Sequence, residues 1–210
     1  MDKNTVMFTD KKQRSSRRRG TPLGPRDADS DMKSETVLGV AAESFCLRTP
    51  KHSLLENDRV VFVKKPIKKK LKIILDREGS DKDLNIVIVG REKGDYLLDM
   101  EMINKASSTR GRVKIWGVAE NGANVLVRGM VKIEKDLVKI DDFLEIRLLV
   151  LDDKSSAEAE PQLEIESDDV KASHAATVSK IDEEQIFYLQ SRGIGRQKAG
   201  DLIVEGFLGI

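Results

Sequence analysis

The strongest constraint in this 210-residue chain is a succession of short β-prone runs with nothing helical between them. From about residue 58 to 170, segments rich in Val, Ile and Leu recur. They are Arg59–Val63, Leu71–Leu75, Asn85–Val89, Tyr96–Ile103, Val113–Val118, Asn124–Val127, Met130–Ile133 and Leu148–Leu151. Gly79, Gly90, Gly94, Gly111, Asn121, Gly122 and Asp141 punctuate them. The run centres lie roughly ten to fifteen residues apart, and no helical periodicity intervenes, which argues against βαβ units and a helix-flanked parallel sheet. The region is predicted to be all-β.

A sandwich, a barrel and a β-helix all fit that spacing. Two features favour the β-helix. The chain has only six Phe, two Tyr and one Trp, so its core is built from aliphatic residues, which suit stacked rungs with like residues one above another. Two-residue hairpin signals are scarce apart from Asn121–Gly122. A solenoid has open sheet edges at its ends, which other elements or a partner chain must cover.

Charge and composition exclude several function classes. Lys+Arg is 37 against 36 Asp+Glu, a net charge of +1, which excludes a uniformly basic nucleic-acid binder. A single cysteine, Cys46, excludes an intrachain disulfide and a zinc site built from several thiolates. His52 and His174 are the only histidines. No apolar run is long enough to span a bilayer, and the N-terminus lacks the apolar core of a secretory signal. The expectation is a cytoplasmic protein with neither membrane nor nucleic-acid partners.

Three parts are expected. Residues 1–55 read as a disordered basic arm: Lys11, Lys12, Arg14, Arg17, Arg18 and Arg19, then Gly and Pro, then Asp27, Asp29 and Asp31. Within it, Met32–Leu47 has the spacing of a short helix with Val37, Val40 and Ala41 on one face. Residues 56–178 form the β core, and 179–210 a pair of short helices. Asp182 is the expected N-cap of the first helix with Gln185 at the third helical position, and Ile181 and Ile186 are placed for a hydrophobic staple. Asp182, Glu183 and Glu184 complement the helix dipole. Gly193 ends the helix, with Ile194 folding back toward Leu189 as in a Schellman motif. The second helix carries Ala199, Leu202, Ile203, Gly206 and Phe207 on one face.

Motifs for chemistry are sparse. The sequence has no nucleophile elbow, P-loop, H-E-x-x-H or C-x-x-C. The lysines at 64, 65, 68, 69, 70 and 72 read as a charged face guarding an edge strand, or else as a phosphate-contacting patch. Glu158, Glu160, Glu164, Glu166, Asp168 and Asp169 read as a solvated acidic face; on one strand, Glu164, Glu166 and Asp168 would line up. Paired acids of a carbohydrate-active β-helix enzyme are the alternative, against which the missing aromatic platforms count. His174 alone cannot hold a metal unless a second chain supplies further ligands.

The stretch from Glu160 to Ile194, EPQLEIESDDVKASHAATVSKIDEEQIFYLQSRGI, closely resembles the core signature of the SufB/SufD family, scaffold proteins of the SUF iron–sulfur cluster assembly system. Arg128–Ile133 and Leu148–Lys154 resemble its preceding rungs. The resemblance implies a right-handed parallel β-helix followed by a C-terminal helical segment. It implies dimerisation through the β-helix, with a like chain or a B-type paralogue, and binding of the ATPase SufC by the C-terminal helices. The residues expected at that contact are Asp182, Glu183, Gln185, Phe187, Tyr188, Arg192 and Gly193. His174 matches the histidine that D-type members use at the subunit interface, which implies an iron or cluster ligand there. A transient cluster is then the cargo, with no cofactor bound stably and no enzymatic activity of the chain's own. Ala172 and Ala175 stand where relatives have a cysteine and a glutamate, and Leu144 and Leu148 where they have Gln and Asn. The chain looks D-like and reduced; a structural homodimer without cluster or ATPase function is a third reading.

Overall fold

The computed structural model describes residues 5–9 and 59–209, with side chains from Val63 onward. Ten strands precede two helices: β1 Thr5–Thr9, β2 Arg59–Val63, β3 Ile67–Leu75, β4 Asp81–Gly90, β5 Gly94–Asn104, β6 Arg110–Ala119, β7 Ala123–Ile133, β8 Ile140–Val150, β9 Ser156–Ile165 and β10 Val170–Lys180, then α1 Glu183–Ser191 and α2 Arg196–Leu208. All eight strand pairings are parallel. The odd strands form one five-stranded sheet in the order β1-β3-β5-β7-β9, the even strands another in the order β10-β8-β6-β4-β2. The chain therefore alternates between two facing sheets, advancing one strand in each per turn. This is a β-helix of about four rungs, as expected. Residues about 30 positions apart lie side by side: Ile67 by Tyr96, Tyr96 by Val125, Val125 by Ala157.

Alternation within each strand builds the core. Inward positions such as Ile73, Ile86, Met102, Ile115, Val127, Val131 and Ile146 are buried between the sheets. At two of the inward glycines, leucines occupy the vacated space. A Cβ at Gly129 would lie 2.6 Å from the Cδ2 of Leu144, and one at Gly117 would lie 2.6 Å from the Cδ2 of Leu148. Leu144 and Leu148 are thus core residues fitted to glycines on neighbouring strands.

One corner is polar inside. The Thr109 hydroxyl donates to Asn104 Oδ1 at 2.7 Å, and the Asn104 amide donates to Asp142 Oδ2. All three side chains are buried. Burial pushes the Asp142 carboxyl up to about 6, although the Asn104 amide and the Gly111 N–H pull it back down.

The two outer faces differ. On the odd sheet, facing solvent, opposite charges alternate from rung to rung: Lys72 meets Glu101 at 3.0 Å, Arg128 meets Glu160 at 2.7 Å, and Lys132 meets Glu164. The even sheet instead presents Val87, Val118 and Leu149, covered by Val204 and Leu208 of α2, with Trp116, Ile203 and Phe207 at the margin. Arg91, at the β4–β5 corner, meets Asp201 of α2 at 2.9 Å and Glu120 at 3.3 Å.

Several expectations need correction. Thr5–Thr9 is a strand paired with β3, not part of an irregular arm, because the β-prone TVMFT run finds a ladder to join. The rest of the expected arm, with the Met32–Leu47 helix, Cys46 and His52, lies outside the described residues. Asn121–Gly122 is not a hairpin. Both residues have positive φ, and the turn carries the chain between sheets, from β6 to β7. The lysine-bearing β3 lies between β1 and β5, so its lysines guard no free edge. The buried face of α2 is Ala199, Val204 and Leu208, and Leu202 is exposed, because the helix rolls to seat Val204 and Leu208 on the even sheet.

Candidate functional site: the last rung and the helices after it

Among the described residues, β9 ends the odd sheet and β10 ends the even sheet. Register shows what the last rung leaves uncovered. Ala172, His174, Ala176 and Val178 lie beside Asp142, Leu144, Ile146 and Leu148, all inward and buried on β8. The same column on β10 is not buried: His174 is exposed and Val178 is 45 % exposed. On β9, Ala157, Ala159 and Leu163 pack on the core from one side only, and Ile165 is exposed. The interior of the solenoid therefore opens to solvent at this end, and His174 sits in its mouth. Apolar residues are exposed here beside strand edges that have no neighbour among the described residues.

The chain leaves this mouth directly for the helices. Ile181, immediately after β10, donates its N–H to Val150 O at 2.9 Å, and Asp182 starts α1 by accepting from the Glu184 N–H at 2.9 Å. Gln185 is the third helical residue, as expected. At the other end, Gly193 has φ +83°, its N–H bonded to Gln190 O at 2.9 Å and that of Ile194 to Leu189 O at 3.2 Å. This is the anticipated Schellman geometry. A bidentate pair from Arg196 to Glu183, at 2.9 and 2.8 Å, ties α1 to α2. It holds the Glu183 carboxyl below its usual range and the Arg196 guanidinium above it.

Only Ile186 of α1 is buried. Phe187 is 72 % and Tyr188 57 % exposed, and the Arg192 guanidinium lies 5.3 Å from the centre of the Tyr188 ring. The structure thus brings Phe187, Tyr188 and Arg192 into a presented surface and gives Asp182, Glu183 and Gly193 the task of shaping the helix beneath it.

The acidic stretch does not form a paired-acid site. Glu158, Glu160 and Glu164 share the outward face of β9, but the strand ends at Ile165, so Glu166 and Asp168 fall outside it. Lys132 holds the Glu164 carboxyl below its usual range, the opposite of what a general acid needs. The one carboxyl raised among the described residues is Asp142, sealed in the core. Among the described residues no three His, Cys, Asp or Glu side chains are gathered as metal ligands, so an iron at His174 would draw its other ligands from another chain. Reading the sequence missed Arg91 and Asp201, 110 residues apart, which no local pattern connects.

Against the family models, residues 32–207 match the SufBD core domain of SUF-system iron–sulfur cluster assembly. The chain belongs to the SufBD family. It is 35 % identical over 131 residues to the iron–sulfur cluster assembly protein SufD of Bacillus subtilis (strain 168), covering 62 % of this chain and 30 % of that protein. It is 28 % identical over 186 residues to an iron–sulfur cluster assembly SufBD-family protein of Staphylococcus aureus (strain USA300), covering 86 % of this chain and 40 % of that one. The chain spans less than half the length of these curated relatives. No helix among the described residues is long and apolar enough to cross a membrane.

Proposed function

We propose that this SufBD-family chain is a non-catalytic scaffold subunit of cytoplasmic iron–sulfur cluster assembly. It pairs through its last rung and holds a SufC-type ATPase on its C-terminal helices. One observation carries the reading: residues 170–192 join a β edge with no neighbour among the described residues, and an open mouth, to a helix that exposes two adjacent aromatic residues. Tyr and Phe with a neighbouring Arg are the residue types that anchor protein interfaces. α1 is held from below by Ile186, Glu183 and Arg196, so the aromatic pair is pre-organised. His174 is presented where a second chain would close the mouth, and it donates one ligand to a cluster completed from that chain. The cluster is cargo: its iron and sulfide arrive from donors and leave with the acceptor protein.

The test is co-purification with the SufC of the same organism, with and without residues 181–210. Binding by the full chain that disappears on truncation supports the reading. A folded full chain that retains no SufC overturns it. For the ligand role, a reconstituted system in which His174→Ala assembles clusters at the wild-type rate removes His174 from the mechanism.

A further inference from the structure

The two edges of the last rung are chemically unlike. From Ala172 to Ser179, β10 is an eight-residue uncharged strand (Ala, Ser, His, Ala, Ala, Thr, Val, Ser), almost wholly exposed, with no proline. Such an edge is open to strand addition. β9 is guarded: it contains Pro161, and its outward positions carry Glu158, Glu160 and Glu164.

The guard follows a pattern that runs through the odd sheet. In one outward row Lys70, Asp99, Arg128 and Glu160 lie side by side, each rung bearing the countercharge of the one before. A second row runs from Lys132 to Glu164, and a third from Lys68 through Leu97 and Leu126 to Glu158. All three rows end on a carboxylate. Whole rungs show the same trend. Residues 64–90 carry eight Lys or Arg against four Asp or Glu, while residues 152–180 carry three Lys against eight Asp or Glu. The open end is the acidic end.

Resting on the reading that the last rung is a mating surface, we infer that the two strands divide its work. β10 supplies the edge, and the carboxylate row of β9 rejects a second copy of this chain and selects a partner whose facing strand carries Lys or Arg at alternate positions. A second copy fits badly either way round. If it brings β9 against β9, glutamates face glutamates. If it brings β10 against β9, its outward row offers a single cation, Lys171 at the start of the strand, followed by the neutral Ser173, Ala175, Thr177 and Ser179, against three glutamates. A basic strand continues all three rows in phase.

The experiment compares wild type with E158Q/E160Q/E164Q by sedimentation velocity in low salt and in salt high enough to screen these charges. A second arm measures binding of a fluorescent peptide of alternating Lys and Val. Self-association of the wild type is expected to tighten as salt rises, and the Gln variant to self-associate about tenfold or more tightly than wild type in low salt. The peptide is expected to bind wild type and to lose about tenfold affinity on the Gln variant. Wild type that self-associates best in low salt, or a Gln variant that associates and binds peptide as wild type does, overturns the inference. Adding Val178→Asp, a charge in the mouth, separates the two layers. If association of the Gln variant survives it, pairing does not use the last rung, and the dimerisation reading falls with the inference.

Discussion

Asp142 offers a quantitative test of how the rungs are built. Its carboxyl is 1 % exposed and raised from 3.8 to about 6, chiefly by burial. Arg112, a cation that acts on it, pairs with Asp141 at 2.7 Å instead. Unfolded, the group ionises near its ordinary value; folded, it keeps its proton about two pH units longer. Between those values the native state binds more protons than the unfolded one, so stability falls as pH rises through this window. The contribution at neutral pH is a penalty of about 3 kcal/mol relative to acid. Asp152, Glu164 and Glu183 are shifted the other way and lose stability on acidification, so a wild-type profile alone would mix the two. The clean measurement is the difference between wild type and Asp142→Asn in urea unfolding from pH 4.5 to 8. The stability of the Asn variant relative to wild type should climb across that range by about 2 kcal/mol, most steeply near pH 5 and levelling off above pH 6. Parallel profiles would refute the claim that a buried charge forms at this corner.

Two further predictions test the packing and the helix anchor. Gly129→Ala should destabilise by about 1–3 kcal/mol through the clash with Leu144, and Leu144→Ala by about 2–5 kcal/mol through a cavity. The double variant should recover at least about 1 kcal/mol relative to their sum, and additivity in chemical unfolding would show that the two sites do not share space. Asp201→Arg should put like charges together at Arg91 and speed hydrogen exchange in α2, while adding Arg91→Asp should restore protection. Failure of the swap to restore it would mean that the apolar strip alone seats α2.

What could be read in the sequence was what local chemistry writes there. The apolar alternation of Arg59–Val63 and Tyr96–Ile103 lies within strands of the structure, and the capping residues Asp182 and Gly193 mark the ends of α1. Errors arose where tertiary context reassigns a residue. The expected runs Asn124–Val127 and Met130–Ile133 leave a gap at Arg128 and Gly129, but β7 passes straight through it because Leu144 fills the space at Gly129. Most of β8 lies outside the expected runs because Asp141 reads as a turn residue, whereas it lies within the strand and the adjacent Asp142 is inside the core. β9 and β10 fall within the β core expected over 56–178 but have no apolar run of their own. Their inward faces are not fully buried within this chain, so no apolar pattern is imposed on them. The candidate site was therefore found through family resemblance, not through periodicity.

That blind spot has a physical counterpart in the way the site is connected. Only Ile181 and Asp182 separate the last residue of β10 from α1, and the Ile181 N–H is bonded to Val150 at the end of β8. α2 lies over Val87, Val118 and Leu149, which belong to β4, β6 and β8, and Arg91 fixes it at the β4–β5 corner. The helix pair is thus anchored at two places: through α2 on three successive rungs, and through α1 on the terminal strand. A partner that shifted α1 relative to α2 would have to break the Glu183–Arg196 pair or move β10 against the rungs below it. The exposed charge pair is the weaker restraint, since solvent screens a surface pair, while β10 is held along its whole length by the ladder to β8. Small displacements of α1 are therefore absorbed at Glu183–Arg196. Larger ones load the strand that carries His174.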